Sequence, residues 1–151
     1  MKIEKLIRGK NSEQNKKLTK AYDNIENLTE ALVAKGIPEE NSTVINADIK
    51  TINSFSGSEK DLIKHLIKTN AKVLAYIEKE LHWVKKFHYQ NKWMTFGMLA
   101  GVLFSAAFSN FVESTLWTSM GIGISMGLLF GILAGRNRDK SAEKDGLQLD
   151  L

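Results

Sequence analysis

The sequence predicts an all-α protein: a cytoplasmic helical bundle or coiled coil followed by a two-helix transmembrane hairpin. Three observations predict it. Residues 93–135 form two apolar stretches with a short turn between them, and their one charge is Glu113. Small residues recur at every fourth position in both stretches. A heptad series of mostly apolar residues runs from Ile63 towards the first stretch.

Residues 12–35 read as an amphipathic helix, because Leu18, Tyr22, Ile25, Leu28 and Leu32 recur at three or four residues among Lys, Glu and Asn. Ser12 is the expected N-cap. Gly36 is the expected residue just past the C-terminus, with Pro38 behind it. Residues 39–55 give a weaker helix pattern. Ile45, Ile49 and Ile52 share a helical face with Phe55 near it, while the β-branched run Thr43, Val44, Ile45 leaves a strand as the alternative.

Ser56, Gly57 and Ser58 break that pattern, and Ser58 followed by Glu59 and Asp61 is a capping signal with acids in the first turn. A long helix is expected from there through about residue 92 and on into the first apolar stretch, since no breaker intervenes. Ile63, Ile67, Asn70, Leu74, Ile77, Leu81, Val84 and His88 alternate spacings of four and three, which is a heptad seam. Two readings of the seam stay open. The first two helices pack on it within the chain, or two or more copies form a parallel coiled coil. Asn70 would fix register or partner number if buried there, and would face solvent at the edge of a small bundle otherwise.

The apolar stretches are expected to cross a bilayer at 93–112 and 116–134, each about the 20 residues that a hydrocarbon core requires. Glu113, Ser114 and Thr115 form the turn, and Trp93 and Trp117 mark segment ends where aromatic belts lie. Gly97, Gly101, Ser105 and Ser109 line one face of the first span. Ser119, Gly123, Gly127, Gly131 and Gly135 line one face of the second. Glycine weakens a helix, so a regular ladder of it needs another reason: without side chains, a neighbouring backbone can approach closely. Gly121 and Ser125 extend the small residues to a second face, which could meet another protomer.

Lys79, Lys85, Lys86 and Lys92 precede the hairpin. Arg136, Arg138, Lys140 and Lys144 follow it, and the turn has no basic residue. The positive-inside rule then places both termini in the cytoplasm, with residues 1–92 and a charged tail, 136–151, on that side. The opening run MKIEKLIRGK lacks an apolar core of signal-peptide length, so the first span is expected to direct insertion itself.

Composition narrows the chemistry. The chain of 151 residues has no cysteine, which excludes disulfides, thiolate catalysis and cysteine metal sites. The net charge of +4 comes from scattered lysines rather than a dense basic block, against a nucleic-acid partner. Glu78 and His82 are four residues apart, a spacing that metal sites use, but a third ligand is missing and an ordinary surface pair is the expected reading. His65 stands isolated. His82, Trp83, His88, Tyr89 and Trp93 read as an aromatic-rich anchor at headgroup level. The glycines lack the Gly-Lys-Ser/Thr ending of a nucleotide loop, and neither span has an ionisable group of the kind that marks transport paths. No catalytic residue, metal, cofactor or small-molecule substrate is therefore expected.

The run GIGISMGLLFGILAGRNRDKSAEKDGLQL resembles the end of small bacterial glycine-zipper membrane proteins, which carry a Gly-rich span and then a charged tail. Asp139, Lys140, Ala142, Glu143, Lys144 and Gly146 match that tail, and the resemblance covers roughly residues 94–149. It implies a multi-pass protein of the bacterial inner membrane and assigns no activity. The expected role is non-enzymatic: an oligomeric scaffold or membrane-anchored interaction module whose partners are the bilayer and a second copy or another membrane protein. A holin-like pore and an accessory subunit of a larger membrane complex are the alternatives.

Overall fold

In a computed structural model of the chain, which describes residues 3–9, 12, 15–108 and 116–151, Asn15 rather than Ser12 caps the first helix. Its side chain accepts from the backbone N–H of Lys17 at 2.9 Å and of Leu18 at 3.4 Å. Ser12 is buried instead, and its carbonyl accepts from the Thr19 hydroxyl at 2.6 Å. The helix, α1, spans Lys16–Ala34. It ends as the glycine predicted: Gly36 takes φ +76°, Ile37 N–H returns to Leu32 O at 3.1 Å, and Gly36 N–H to Val33 O at 3.0 Å.

The second element is a helix, not a strand: α2 spans Glu39–Asn53. Burial of Ile45, Ile49 and Ile52 along one face outweighs the β-branched preference of Thr43–Ile45. The Ser42 and Thr43 hydroxyls both bond back to Glu39 O, at 2.7 and 3.1 Å. The third helix, α3, spans Glu59–Leu81 and starts at the predicted cap. The Asp61 N–H donates to Ser58 Oγ at 3.2 Å while the Ser58 hydroxyl donates to Asp61 Oδ2 at 2.6 Å.

The chain divides into two compact units, and Met1–Trp83 with Leu149–Leu151 is the first. Its core joins Leu18, Tyr22, Ile25, Leu28 and Leu32 of α1 to Ile45, Ile49 and Ile52 of α2 and to Leu66, Val73 and Ile77 of α3. Leu6 and Leu149 complete it. The segment carrying Leu6 is not helical, and two asparagines one heptad apart on α2 hold it. Glu4 N–H donates to Asn46 Oδ1 at 2.8 Å, Ile7 N–H donates to Asn53 Oδ1 at 2.9 Å, and Asn53 Nδ2 donates to Lys5 O at 3.1 Å. Arg8 then pairs with Asp23 and Glu26 of α1 and lies 5.9 Å over the Tyr22 ring.

Two expectations for the long helix are corrected. The buried stripe of α3 is Leu66, Thr69, Val73 and Ile77, so of the heptad residues within α3 only Ile77 is buried in the chain. Ile63, Asn70, Leu74 and Leu81 are half-buried, and Ile67 is 58% exposed. A helix covered by two neighbours needs a wider stripe than a two-stranded seam, and Leu62, Leu66 and Val73 supply the width. The helix also does not run on to residue 92. It stops at Leu81, His82 turns left-handed at φ +56°, and Phe87 does so again at φ +60°. The break redirects the chain. Trp83 packs on the first core with the Lys35 ammonium 5.0 Å over its ring, and Val84 N–H bonds Leu147 O at 3.0 Å.

The second unit is Val84–Gln148. It contains β1 (Val84–Lys85) and two long helices, α4 (His88–Phe108) and α5 (Leu116–Lys144), and β1 pairs with β2 (Gln148–Leu149). Val84, placed in the helical seam by its spacing, is therefore a strand residue. The charged segment after Gly135, expected as a charged tail, begins as helix. It continues α5 to Lys144, where Gly146 at φ +66° closes the end by the same motif as Gly36: Leu147 N–H to Ala142 O at 2.8 Å and Gly146 N–H to Glu143 O at 3.0 Å. Among the described residues one helical stretch, Ser119–Lys144, is long and apolar enough to cross a membrane.

Candidate functional site

The small-residue faces of α4 and α5 lie against each other in antiparallel register. A Cβ built on Gly97 would fall on the carbonyl oxygen of Gly127, and one on Gly127 would fall on that of Gly97. A Cβ on Gly101 would stand 2.8 Å from the Gly123 carbonyl carbon, and one on Gly123 would stand 2.5 Å from Gly101 O. Gly131 meets Trp93 backbone, with its Cβ position 2.9 Å from the Trp93 carbonyl carbon. Gly135 meets Tyr89 and Gln90 backbone, with its Cβ position 2.7 Å from Tyr89 O. Ser105 and Ser119 are buried, and the Ser105 hydroxyl donates to Gly101 O of its own helix at 2.6 Å. The six glycines and Ser105 thus sit in one intrachain helix contact, and Ser119 is buried as well. At each of the six glycines a side-chain methyl would collide with main chain, which explains why those positions are glycine.

The second small face is different. Gly121 has nothing within 4 Å of its Cβ position, and the Ser125 hydroxyl bonds Gly121 O at 2.8 Å. Ser109 and the turn at Glu113–Thr115 lie outside the described residues.

The outward faces carry the bulk. Leu99, Leu103, Phe104, Ile122, Met126, Leu129, Phe130 and Leu133 are all exposed, with Leu103 at 72% and Phe130 at 70%, while Ser105 is 1% exposed. The usual burial order of a water-soluble pair is reversed.

At the end of the pair where α4 begins and α5 becomes charged, Asp139 is buried and caps α4. Its carboxylate accepts from Tyr89 N–H at 3.0 Å and from Gln90 N–H at 2.8 Å. Gln148 Nε2 donates to Asp139 O at 2.7 Å and braces the same turn. This cap is absent from any local capping pattern, because its acceptor lies 49 and 50 residues along the chain. Beside it the Arg138 guanidinium lies 5.4 Å over the Trp93 ring. Tyr89, Lys92, Trp93, Phe96 and Arg138 line a hollow of about 380 Å³. A smaller one of about 150 Å³ lies among Lys86, Phe87, Gln90, Arg136, Asp139, Lys140, Glu143 and Gln148.

The histidines fall into separate places. His82 is the left-handed residue past α3, so it does not share a helical face with Glu78. His65 stacks on Phe55 with ring centroids 5.4 Å apart, and His88 meets Tyr89 edge-on at 5.1 Å. In the first unit, the Arg8 guanidinium is held further towards its charged form, chiefly by its hydrogen bond to Glu26 and then by Asp23. Burial pulls the Lys35 ammonium down.

No family model, curated protein or solved structure matches this chain.

Proposed function

We propose that the chain is a non-enzymatic protein of the bacterial inner membrane. In this reading α4 and α5 form a transmembrane glycine-zipper hairpin, and the N-terminal helical unit is held at the cytoplasmic face as an oligomeric scaffold or interaction module. The observation that carries the reading is the reversed burial of the helix pair. Glycine and serine fill its interior, and leucine and phenylalanine cover its outside. In water that arrangement exposes apolar area at a cost of roughly 25 cal/mol per Å², whereas in a bilayer the cost vanishes and close backbone packing becomes the main attraction.

The basic residues Lys85, Lys86, Lys92, Arg136, Arg138 and Lys140 favour a cytoplasmic position for the charged end. The zipper faces are already engaged within the chain, which supports a closed hairpin over a pore lined by those faces. Contacts between copies then fall to the outward side of α5, where Gly121 has open space around it.

Topology reporters test the placement. Fusions after Lys92 and after Leu151 are expected to report cytoplasm, and one at Glu113 the outside. A periplasmic C-terminus would remove the hairpin. Dye release from vesicles carrying the purified chain would instead favour the holin-like alternative, and intact vesicles the scaffold.

A further inference from the structure

The hollow lined by Tyr89, Lys92, Trp93, Phe96 and Arg138 has the composition of an amphiphile site. It draws one cation from each helix, Lys92 from α4 and Arg138 from α5. Among the described residues no carboxylate lines it. The nearest acid in sequence, Asp139, points into the start of α4, where the Tyr89 and Gln90 amides hold both its oxygens. Among the described residues Arg138 makes no ion pair, and its guanidinium lies 5.4 Å over the Trp93 ring, a cation–π contact that restrains its position. Phe96 forms the apolar wall, and exposed Leu99 and Leu103 continue the same line along α4. The smaller hollow offers the contrast: it also has cations, but Asp139 and Glu143 line it.

We propose that this hollow binds the phosphate headgroup of an anionic phospholipid. The phosphate sits in the Arg138 fork with Lys92 beside it, and an acyl chain runs down Phe96, Leu99 and Leu103. The proposal rests on the membrane reading above, since it needs the charged end of the pair at headgroup depth. A planar guanidinium matches a phosphate diester through two parallel charge-assisted hydrogen bonds, which a lysine cannot reproduce. Trp93 and Tyr89 suit the same depth. The continuous apolar track selects a lipid over a free phosphate ion.

The test uses the full chain in detergent with a mixture of phosphatidylglycerol and phosphatidylcholine, and native mass spectrometry counts retained lipid. Wild type is expected to keep phosphatidylglycerol in preference to phosphatidylcholine. Arg138→Gln is expected to lower that preference about tenfold. Lys140→Gln, with the same change in net charge but outside the hollow, is expected to leave it intact. Equal losses in the two variants would show diffuse electrostatic attraction and overturn the site. Displacement of the lipid by millimolar inorganic phosphate would overturn the lipid as its occupant. Should Arg138→Gln not fold, Lys92→Gln with Trp93→Leu reads the same preference. Alkaline carbonate extraction of cell membranes separates the two levels: release of wild type would sink the membrane reading itself, whereas retained protein without lipid preference would sink the clamp alone.

Discussion

Gly97 and Gly127 face each other so closely that a Cβ on either would fall on the other's carbonyl oxygen. The contact is reciprocal and main chain stands on both sides, so neither helix can yield by turning a side chain. Gly127→Leu is therefore expected to force α4 and α5 apart and to destabilise the pair by about 1–3 kcal/mol or more. Gly121→Ala makes the control, because nothing lies within 4 Å of that position and alanine improves helix propensity. Thermal unfolding in micelles, followed by circular dichroism, reads both. Equal stability of the two variants would show that the glycine contact does not hold the pair.

The face of α3 that carries the first unit makes the next prediction. Leu66 is fully buried and Ile67, its neighbour in sequence, is 58% exposed. Leu66→Ala is expected to cost about 2–5 kcal/mol through the cavity it leaves, and Ile67→Ala about 0.5 kcal/mol or less. The heptad series alone predicts the opposite order, because it places Ile67 in the seam and Leu66 outside it. Denaturant midpoints of the two variants in the full chain decide between the faces.

Much of the helical fold was legible because its signals are local. Gly36, Ser58 and the Leu18–Leu32 series each act within one or two turns, and the helices they predict are present. The contact between small residues was legible for the same reason, since spacing by four puts them on one face. What escaped depends on distance along the chain. Asn46 and Asn53 read as ordinary polar helix residues until the segment at Glu4–Ile7 arrives to donate to them. The stop at Leu81 has no breaker behind it: His82 takes a left-handed backbone that its residue type does not announce. Two stripes compete on α3, and only the number of helices covering it chooses the wider one. Periodicity does not contain that number.

The Ser58 cap has a pH signature. Its hydroxyl donates to the Asp61 carboxylate and holds that carboxyl below the ordinary range, with Lys64 adding to the effect. Folding thus favours the ionised form. The contribution is fully present above the unfolded value of about 3.9 and is lost as pH falls through the lower folded value. Ser58→Ala is expected to be less stable than wild type at neutral pH. The difference should narrow in acid without closing, because Ser58 Oγ also accepts from the Asp61 amide at 3.2 Å. A stability difference independent of pH would show that the carboxylate plays no part.

Asp139 tests whether α4 depends on its partner helix for its start. The first N–H groups of a helix have no intrahelical acceptor, and those of Tyr89 and Gln90 find theirs on a buried side chain of α5. Asp139→Ala leaves both donors without that acceptor and is expected to cost about 1–2 kcal/mol. Asp139→Asn keeps one acceptor oxygen and should cost less. Asp145→Ala removes a carboxylate from the exposed end of the same region and is expected to change little. Amide hydrogen exchange locates the effect: Tyr89 and Gln90 should exchange faster in Asp139→Ala, while amides in the middle of α4 stay protected as long as the glycine contact holds. Uniform loss of protection along α4 would mean that the cap and the glycine contact form one cooperative unit. Unchanged exchange at Tyr89 and Gln90 would mean that α4 starts without Asp139.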